Sequence, residues 1–313
     1  MRYQIERRLG AGGMAEVYEA TAHGDNGFRR KVAIKRLASG RVDDAALRRA
    51  MVQEARVAAT LHHPGIVAVL DVGEIDGSPM QVLEWVDGLD AGALLARGQA
   101  AGQPLPLAAA LAIVVAVAEA LDHAHHAVDE RGSALGLVHR DVKPANVLVS
   151  WDGHVRLADF GIAFVRGRDE RTATGVAKGT LGYMAPEQLA GAPVDARTDV
   201  YALGALLHAL CTGRSPVDPD AAPIDVLAGL GVRIDTTLPP VLYEIVEQAL
   251  AREPSGRYPN ALAVARAVEG AARELDASDG SRVLRAWLTA LRAGATRPAL
   301  LDDLVQHLSL IHI

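Results

Sequence analysis

The stretch Val138-His139-Arg140-Asp141-Val142-Lys143-Pro144-Ala145-Asn146-Val147-Leu148 is the most informative part of this 313-residue chain. It sets six specified residue types in the order His-Arg-Asp-x-Lys-Pro-x-Asn, a pattern too long for a chance match. Thirteen residues after Asn146 comes Asp159-Phe160-Gly161, and Ala185-Pro186-Glu187 closes a segment of 29 residues counted from Asp159. Three motifs in this order indicate a single catalytic region rather than isolated matches.

A glycine-rich segment lies upstream, Leu9-Gly10-Ala11-Gly12-Gly13-Met14-Ala15-Glu16-Val17. It stands between two strand patterns, so we expect a flap whose backbone N–H groups approach phosphates. The next strand, Val32-Ala33-Ile34-Lys35, ends in a lysine suited to the α- and β-phosphates of a nucleotide. Glu54, in the helix that follows, can pair with Lys35. Taken alone, the glycine-rich segment is equally compatible with a plain hairpin, and an isolated lysine at a strand end is more often a surface residue. The alternative for Glu54 is a solvated glutamate on the helix face.

Composition and charge exclude several classes of protein. Half of the residues are hydrophobic but only 4% are aromatic, so the core is expected to consist of Ala, Val, Leu and Ile. The 22% of charged residues excludes a disordered chain, and the net charge of −6 provides no global basic field for nucleic acid. The single Cys211 excludes an intramolecular disulfide, and the N-terminus lacks a secretory h-region. A cytoplasmic location is therefore expected.

The periodicity of apolar residues changes along the chain. Alternating segments at the start predict strands at 16–20, 31–36, 66–73 and 80–85, with one helix over 44–61. Spacings of three and four residues then predict helices over 107–126, 199–211, 240–251 and 261–275. The apolar run 104–118 has 15 residues, short of the ~20 of a membrane span, and predicts a buried helix. These patterns indicate a small sheet lobe followed by a large helical lobe.

The motifs resemble, in order and spacing, those of the eukaryotic-like (Hanks-type) serine/threonine protein kinases, in particular their bacterial members, over residues 1–272. The resemblance implies an α+β, two-lobed protein-kinase-like fold. Its N-lobe, residues 1–86, would be a small antiparallel sheet with one main helix, and its C-lobe, residues 87–272, would be large and mainly helical. The implied activity is ATP-dependent transfer of the γ-phosphoryl group to Ser/Thr hydroxyls of proteins, that of a non-specific serine/threonine protein kinase.

The resemblance also implies roles for the motif residues. Asp141 would orient the proton of the attacking hydroxyl, and Lys143 would contact the γ-phosphate. Lys35, held by Glu54, would bind the α- and β-phosphates of ATP. Mg²⁺, which prefers hard oxygen ligands, would bind two side chains of the same region, Asn146 and Asp159.

The nucleotide is expected in the cleft between the lobes. The adenine would lie between apolar side chains and hydrogen-bond the hinge backbone at 82–88, and the ribose would lie near Asp90. The expected nucleotide contacts, besides Lys35, are Leu9, Gly10, Gly12, Gly13, Val17, Ala33, Glu84, Val86, Asp90 and Leu148. Ala15 stands where the family has its third glycine, which predicts a somewhat stiffer flap without loss of binding.

Two further features have an expected structural role. Asp199 would anchor the backbone of the catalytic loop through a buried carboxylate, and Arg257 would pair with Glu187. The alternative for both is a surface ion pair, worth about 0–1 kcal/mol.

Regulation is expected in the segment between Asp159 and Glu187. Arg140 directly precedes Asp141, and in the family such kinases usually need a phosphate on this segment. Thr172 and Thr174 are the candidate phosphosites, modified by a second copy of the chain in trans. Thr180 would shape the acceptor pocket for Ser and Thr.

Two other functions compete with the kinase interpretation. A pseudokinase scaffold predicts the loss of at least one of Lys35, Asp141, Asn146 and Asp159, and all four are present. A small-molecule phosphotransferase of related fold would have no need of the peptide-docking segment 179–187. Protein substrates carrying Ser or Thr, including the chain itself, are therefore the expected partners.

The last 40 residues do not belong to the motif-bearing region. Residues 273–307 predict a helical extension, two amphipathic helices separated by Pro298, that either docks on the helical lobe or begins a regulatory region. Because the motifs end by Arg257, we expect a chain ending near Leu275 to retain activity. Residues 308–313 coincide with one reading frame of a sequencing adaptor. We expect these six residues to be an artefact, and a membrane anchor, if the full protein has one, to lie outside this sequence.

Overall fold

The computed structural model describes residues 2–11, 15–41, 44–75, 77–129, 131–160, 181–218 and 221–294. The N-terminal part is a five-stranded antiparallel sheet in the order β1-β2-β3-β5-β4. Its strands are β1 Arg2–Ala11, β2 Ala15–His23, β3 Arg29–Leu37, β4 Val69–Ile75 and β5 Ser78–Glu84. One helix, α1 (Ala45–Ala58), packs on β4 and β5.

Small and β-branched residues form the core of this sheet. Val32 and Ile34 on β3 are buried and pack against Ala20, Ala22 and Val82 of the flanking strands, while Ala33 between them is partly exposed. The alternation puts one face of each strand into the core, as the sequence predicts. Alanine, valine, isoleucine and methionine side chains fill this core, and the partly buried Tyr3 packs against them.

Helix α1 is shorter than its apolar pattern predicts. Asp44 has extended backbone angles and accepts hydrogen bonds from the backbone N–H groups of Ala46 and Leu47, so it is the N-cap and not a helical residue. The helix ends at Ala58, and Leu61 is buried in the core of the helical lobe instead. The helix is therefore three residues shorter at its C-terminal end than predicted, because Leu61 packs in the other core.

The C-terminal part is mainly helical around a core of leucines, valines and alanines. Helix α3 lies in its centre and contacts α5, α8 and α9, while α7 packs on α5. The helices are α2 Ala91–Ala100, α3 Leu107–His125, α4 Pro186–Leu189, α5 Ala196–Thr212, α6 Pro223–Leu227, α7 Pro240–Ala249, α8 Ala261–Glu274 and α9 Gly280–Ala293. Short 3₁₀ helices occur at Asp25–Gly27, Ser39–Arg41, Pro144–Asn146, Leu181–Tyr183 and Pro254–Gly256.

Helix α3 has the length and composition of a membrane span, the one such case among the described residues. Ten of its side chains, mostly alanine and valine, are nevertheless buried against neighbouring helices. A buried core helix, as predicted from the run 104–118, accounts for this apolar sequence.

A second, three-stranded antiparallel sheet connects the two parts of the fold. It consists of β6 Gly88–Asp90, β7 Val147–Ser150 and β8 Val155–Leu157, in the order β6-β7-β8. Gly88 is required here because a Cβ atom would overlap the carbonyl oxygen of Val149. Strand β6 follows the last strand of the five-stranded sheet, and β7 follows the catalytic loop, residues 138–146. The pairing of β6 and β7 therefore places the end of the five-stranded sheet next to that loop.

Helix α9 is part of the helical core. Its apolar face buries Leu284, Trp287, Leu288 and Leu291 in the same cluster as α3. Gly280 allows the approach, since a Cβ atom there would overlap the carbonyl oxygen of Ala108 on α3. Of the two alternatives for the extension, docking on the helical lobe therefore applies to α9. The second predicted helix, after Pro298, lies outside the described residues.

Candidate active site

A buried lysine connects three separate segments of the chain. Lys35 Nζ on β3 donates to Oε1 of Glu54 on α1 at 3.0 Å and to Oδ1 of Asp159, after β8, at 2.8 Å. The Lys35 side chain is only 8% exposed, so both interactions are shielded from water. With one lysine and two carboxylates, the cluster has one more acidic group than basic groups. A metal ion can balance the additional negative charge.

The charges of this cluster shift each other's pKa. Burial alone would lower the pKa of Lys35, but the carboxylates of Asp159 and Glu54 outweigh it and raise that pKa. Burial opposes ionisation of Asp159 too, yet Lys35 keeps its pKa below the ordinary value. Burial raises the pKa of Glu54 against the effect of Lys35. Lys35 and Asp159 are therefore the firmly ionised members of the cluster.

The catalytic loop holds the Asp141 carboxylate from two sides. Lys143 Nζ donates to Asp141 Oδ2 at 2.9 Å, and Asn146 Nδ2 donates to the same oxygen at 3.0 Å and to the Asp141 carbonyl at 2.7 Å. Lys143 and Asn146 are buried, while the Asp141 side chain is 25% exposed. Asp141 is therefore the acidic group of this loop that a hydroxyl from solvent can reach.

A carboxylate of helix α5 fixes the backbone of this loop. Asp199 is fully buried and accepts from the backbone N–H groups of His139 and Arg140, both at 2.8 Å. His125 at the end of α3 donates to Asp199 Oδ2 at 2.7 Å. These bonds hold Arg140 at φ +67°, a left-handed conformation that is costly for a non-glycine residue. Asp199 thus joins helix α5 to the backbone of the catalytic loop.

Further contacts join the catalytic loop to the end of β8. The His139 ring donates from Nε2 to the Ala158 carbonyl at 3.0 Å and packs on Phe160, with centroids 4.6 Å apart. The Ala158 backbone N–H donates to the Asn146 carbonyl at 2.9 Å. Asp159 follows directly, with φ at +57°. The two expected magnesium ligands, Asn146 and Asp159, are therefore held beside each other by backbone and ring contacts.

The expected pair of Glu187 and Arg257 is buried rather than on the surface. Arg257 donates to both carboxylate oxygens of Glu187 at 2.7 and 2.8 Å, and its side chain has no exposed area. Thr198 donates to Glu187 as well. Although burial opposes it, these bonds lower the pKa of Glu187. Losing one partner of a buried pair costs about 3–5 kcal/mol, well above the surface-pair alternative.

The expected adenine contacts lie on strands of the two sheets. Val17 pairs with Lys35 across β2 and β3, and Ala33 pairs with Leu83 across β3 and β5. From the other side, Leu148 on β7 pairs with Asp90 on β6. Val17 and Ala33 thus lie on neighbouring strands of the five-stranded sheet, and Leu148 lies on the three-stranded sheet.

The remaining nucleotide contacts divide into described and undescribed residues. Leu9 and Gly10 are on β1, Val86 is partly buried in the hinge, and the Glu84 side chain pairs with Arg156 at 3.0 Å. Asp90 caps α2 by accepting from the Ala93 N–H at 2.9 Å. Five expected site residues lie outside the described residues: Gly12, Gly13, Thr172, Thr174 and Thr180.

Comparison with known proteins identifies the family to which this arrangement belongs. A family model for the protein kinase domain matches residues 3–260. This chain is a member of the protein kinase domain family. The kinase fold and the resemblance to bacterial eukaryotic-like kinases predicted from the sequence are thereby confirmed.

Individual relatives of this kinase domain come from several bacteria. It is 36% identical over 292 residues to the tyrosine-protein kinase MasK of Myxococcus xanthus, covering 91% of this chain and 45% of MasK. It is 36% identical over 289 residues to the serine/threonine-protein kinase PknH of Mycobacterium tuberculosis, covering 90% of this chain and 44% of PknH. The chain therefore spans less than half the length of these relatives.

A solved structure supports the same fold for this kinase domain. The crystal structure of the Mycobacterium tuberculosis PknI kinase domain is similar to it with a TM-score of 0.62 and 36% sequence identity. The similarity covers 86% of this chain and 95% of the PknI chain. The two-lobed architecture is thus shared over nearly the whole of that domain.

Some residues that support the site are absent from the sequence motifs used to predict it. His125, which donates to Asp199, is one of them. Gln188 is another, and its side chain donates to the Arg140 carbonyl at 2.8 Å. Both residues act through contacts between distant segments. The position of Gln188 next to Glu187, within a recognised motif, is the one signal in the sequence that marks it.

Proposed function

We propose that this kinase domain transfers the γ-phosphoryl group of ATP to Ser and Thr hydroxyls of protein substrates. The observation that carries the proposal is the presence of two charged clusters on segments that are joined by the Ala158 N–H and the Asn146 carbonyl, 2.9 Å apart. In one cluster Lys35 pairs with Asp159 and Glu54, and in the other Asp141 is held by Lys143 and Asn146. A phosphoryl transfer state is loose and highly charged, so fixed cations and a positioned carboxylate meet its main requirements.

Each cluster has a defined task in this mechanism. Asp141 accepts the proton of the acceptor hydroxyl as that oxygen forms its bond to the γ-phosphorus and the bond from phosphorus to the β–γ bridging oxygen breaks. Lys143, 2.9 Å from the same carboxylate, offsets negative charge on the transferred group. Lys35 holds the α- and β-phosphates so that ADP leaves with its charge compensated.

The donor set in the cleft fits Mg²⁺. Asp159 supplies an ionised carboxylate and Asn146 an amide oxygen, both hard ligands, and Mg²⁺ typically takes one or two such protein ligands together with substrate phosphates. Asn146 donates through its amide nitrogen to Asp141, which leaves the amide oxygen as the ligand atom. Bound Mg²⁺ would neutralise charge on the transferred phosphoryl group.

The organisation of the chain and its location belong to the proposal as well. We assign residues 1–86 to the N-lobe, 87–272 to the C-lobe and 273–307 to a helical extension. A cytoplasmic location of this domain fits a reaction that consumes ATP.

The choice of acceptor is the first test of this function. MasK is named a tyrosine kinase and PknH a serine/threonine kinase, so similarity alone leaves both acceptors open. Lys143, two residues after Asp141, together with Thr180 favours a pocket shaped for a short hydroxyl side chain. We expect the purified chain, incubated with labelled ATP, Mg²⁺ and a generic protein acceptor, to yield mainly phosphoserine and phosphothreonine on phosphoamino-acid analysis. Mainly phosphotyrosine would contradict the acceptor assignment, and no label would favour a pseudokinase.

A phosphate on the segment between Asp159 and Glu187, here called the activation segment, is a second part of the proposed function. The Arg140 backbone is fixed by Asp199 and Gln188, while its Nε atom is buried and, among the described residues, has no hydrogen-bond partner. A phosphothreonine would supply the missing acceptor through a charge-assisted bond. Thr172 and Thr174 are the candidates, with modification in trans by another copy of the chain.

We expect the turnover of the double variant Thr172→Ala/Thr174→Ala to fall by about tenfold or more. The reason is the loss of one or more charge-assisted bonds made by the phosphate. ATP affinity should stay near that of the parent. Turnover and nucleotide affinity are measured on both proteins, with Thr289→Ala, an exposed threonine on α9, as the control. Parental turnover in the double variant, with no phosphate found between Asp159 and Glu187 by mass spectrometry, would rule out this mode of regulation.

A further inference from the structure

Helix α9 contacts the C-terminal end of α2, the helix that follows the hinge and β6. The indole Nε1 of Trp287 donates to the Gln103 carbonyl at 3.0 Å. Its ring lies against Gly98, where a Cβ atom would come within 2.8 Å of the Trp287 ring. Gly98 is in the last turn of α2 and Gln103 follows that helix. One buried side chain of α9 therefore fixes the C-terminal end of α2.

A second contact links α9 to the hinge backbone through Trp151. The guanidinium groups of Arg97 on α2 and Arg292 on α9 lie 5.5 and 5.4 Å from the centre of the Trp151 ring, within the range of cation–π attraction. The Trp151 backbone N–H donates to the Asp87 carbonyl in the hinge at 2.9 Å. Trp151 thus joins α2, α9 and the hinge at one point.

The N-terminal end of α2 carries the expected ribose contact. Asp90 is the N-cap of α2 and is also the last residue of β6, which pairs with β7. A helix of ten residues is about 15 Å long and rigid on that scale, so its placement at one end sets its placement at the other. The position of the Asp90 carboxylate therefore depends on how α9 holds the far end of α2.

We propose that Trp287 and Arg292 are positioning residues for nucleotide binding, which act by holding α2 and the hinge in place for ATP. The inference rests on the proposed function because it takes ATP to bind at the hinge. Neither residue belongs to the clusters of Lys35 and Asp141. The catalytic loop is anchored separately, through Asp199 on α5, so loss of the α9 contacts should weaken ATP binding and leave the chemical step unchanged.

The experiment uses the 313-residue chain with three single substitutions. Trp287→Phe keeps an aromatic ring against Gly98 but removes the N–H that binds the Gln103 carbonyl. Arg292→Ala removes an exposed cation from the Trp151 ring, and Arg292→Lys restores one. The matched control is Arg282→Ala, also exposed on α9, where the arginine pairs with Asp279. The dissociation constant of a fluorescent ATP analogue with Mg²⁺, the KM for ATP and kcat at saturating ATP are measured for each protein.

We expect Trp287→Phe and Arg292→Ala to raise the dissociation constant and the KM for ATP about three- to tenfold, the size of one lost hydrogen bond or cation–π contact. The kcat should stay within about twofold of the parent, and Arg292→Lys and Arg282→Ala should bind ATP like the parent. If Trp287→Phe does not fold, Arg292→Ala alone decides, because its side chain is on the surface.

Two results would overturn the inference while the proposed function stands. One is parental ATP affinity in Arg292→Ala and Trp287→Phe with only a lower melting temperature, which would mean that α9 merely packs against the core. The other is a fall in kcat with unchanged KM. A parent protein that neither binds ATP nor transfers phosphate would overturn the proposed function, and this inference with it, before any variant is compared.

Discussion

Asp141→Asn is expected to reduce phosphoryl transfer by about 10²–10⁴-fold, the range typical of a positioned general base. Asparagine has nearly the same shape and can still accept a hydrogen bond, but it has no negative charge and does not take up the hydroxyl proton. The charge on Asp141 also balances Lys143, 2.9 Å away, so the substitution alters the electrostatics of the γ-phosphate site as well. The loss should therefore appear in kcat rather than in the affinity for ATP.

The fold of this variant should remain intact. Asp141 is partly exposed, and the loop backbone is held by Asp199 through the N–H groups of His139 and Arg140, which the substitution does not change. The measurement is transfer of labelled phosphate to a protein acceptor, with melting temperature and ATP affinity recorded on the same preparations. Asp25→Asn, the same substitution at an exposed turn between β2 and β3, is the control and should be fully active. Parental activity in Asp141→Asn, in a preparation free of contaminating kinase, would exclude the proposed mechanism.

The resemblance of the motifs to a family predicted that Glu54 pairs with Lys35, but not that Asp159 contacts the same lysine. Lys35, Glu54 and Asp159 come from three segments, and the lysine and the aspartate are 124 residues apart in sequence. Apolar periodicity alone does not bring such distant residues together, because it shows which face of an element is buried but not what lies against that face. The resemblance to a family supplied only the pairing of Glu54 with Lys35.

The same limit explains what the sequence analysis missed. The apolar stripe of α9 predicted a helix with one apolar side. No sequence pattern predicted that this side packs against α3 and the end of α2. The glycines that permit the contacts are Gly280, which the composition predicts as the end of a linker, and Gly98, which no sequence pattern marks. His125 and Trp151 likewise take their roles from residues far away in sequence. Tertiary contact, rather than local propensity, decides these positions.

Ending the chain at Leu275 is expected to destabilise the kinase domain severely, contrary to the sequence-based expectation that such a chain stays active. Removal of α9 would expose the faces of α3 and α2 against which four apolar side chains pack: Leu284, Trp287, Leu288 and Leu291. Burial of a large apolar side chain contributes about 1.5–3 kcal/mol, and domains have only about 5–15 kcal/mol of stability in total. We expect the shortened chain to aggregate or to melt far below a chain ending at Gly294.

A single substitution separates the contribution of α9 packing from the effects of shortening the chain. Leu288 has no exposed area, so Leu288→Ala leaves a cavity between α9 and its neighbours and should cost about 2–5 kcal/mol in the free energy of unfolding. Thr289→Ala, next to it on the exposed side of the helix, should change stability by less than about 0.5 kcal/mol. Both are measured by urea unfolding of chains ending at Gly294, beside the chain that ends at Leu275. If the shorter chain unfolds at the same urea concentration and retains kinase activity, α9 is dispensable and the sequence-based expectation was right. If instead Leu288→Ala alone brings the midpoint most of the way to that of the shortened chain, packing of the apolar face accounts for the stability that α9 provides.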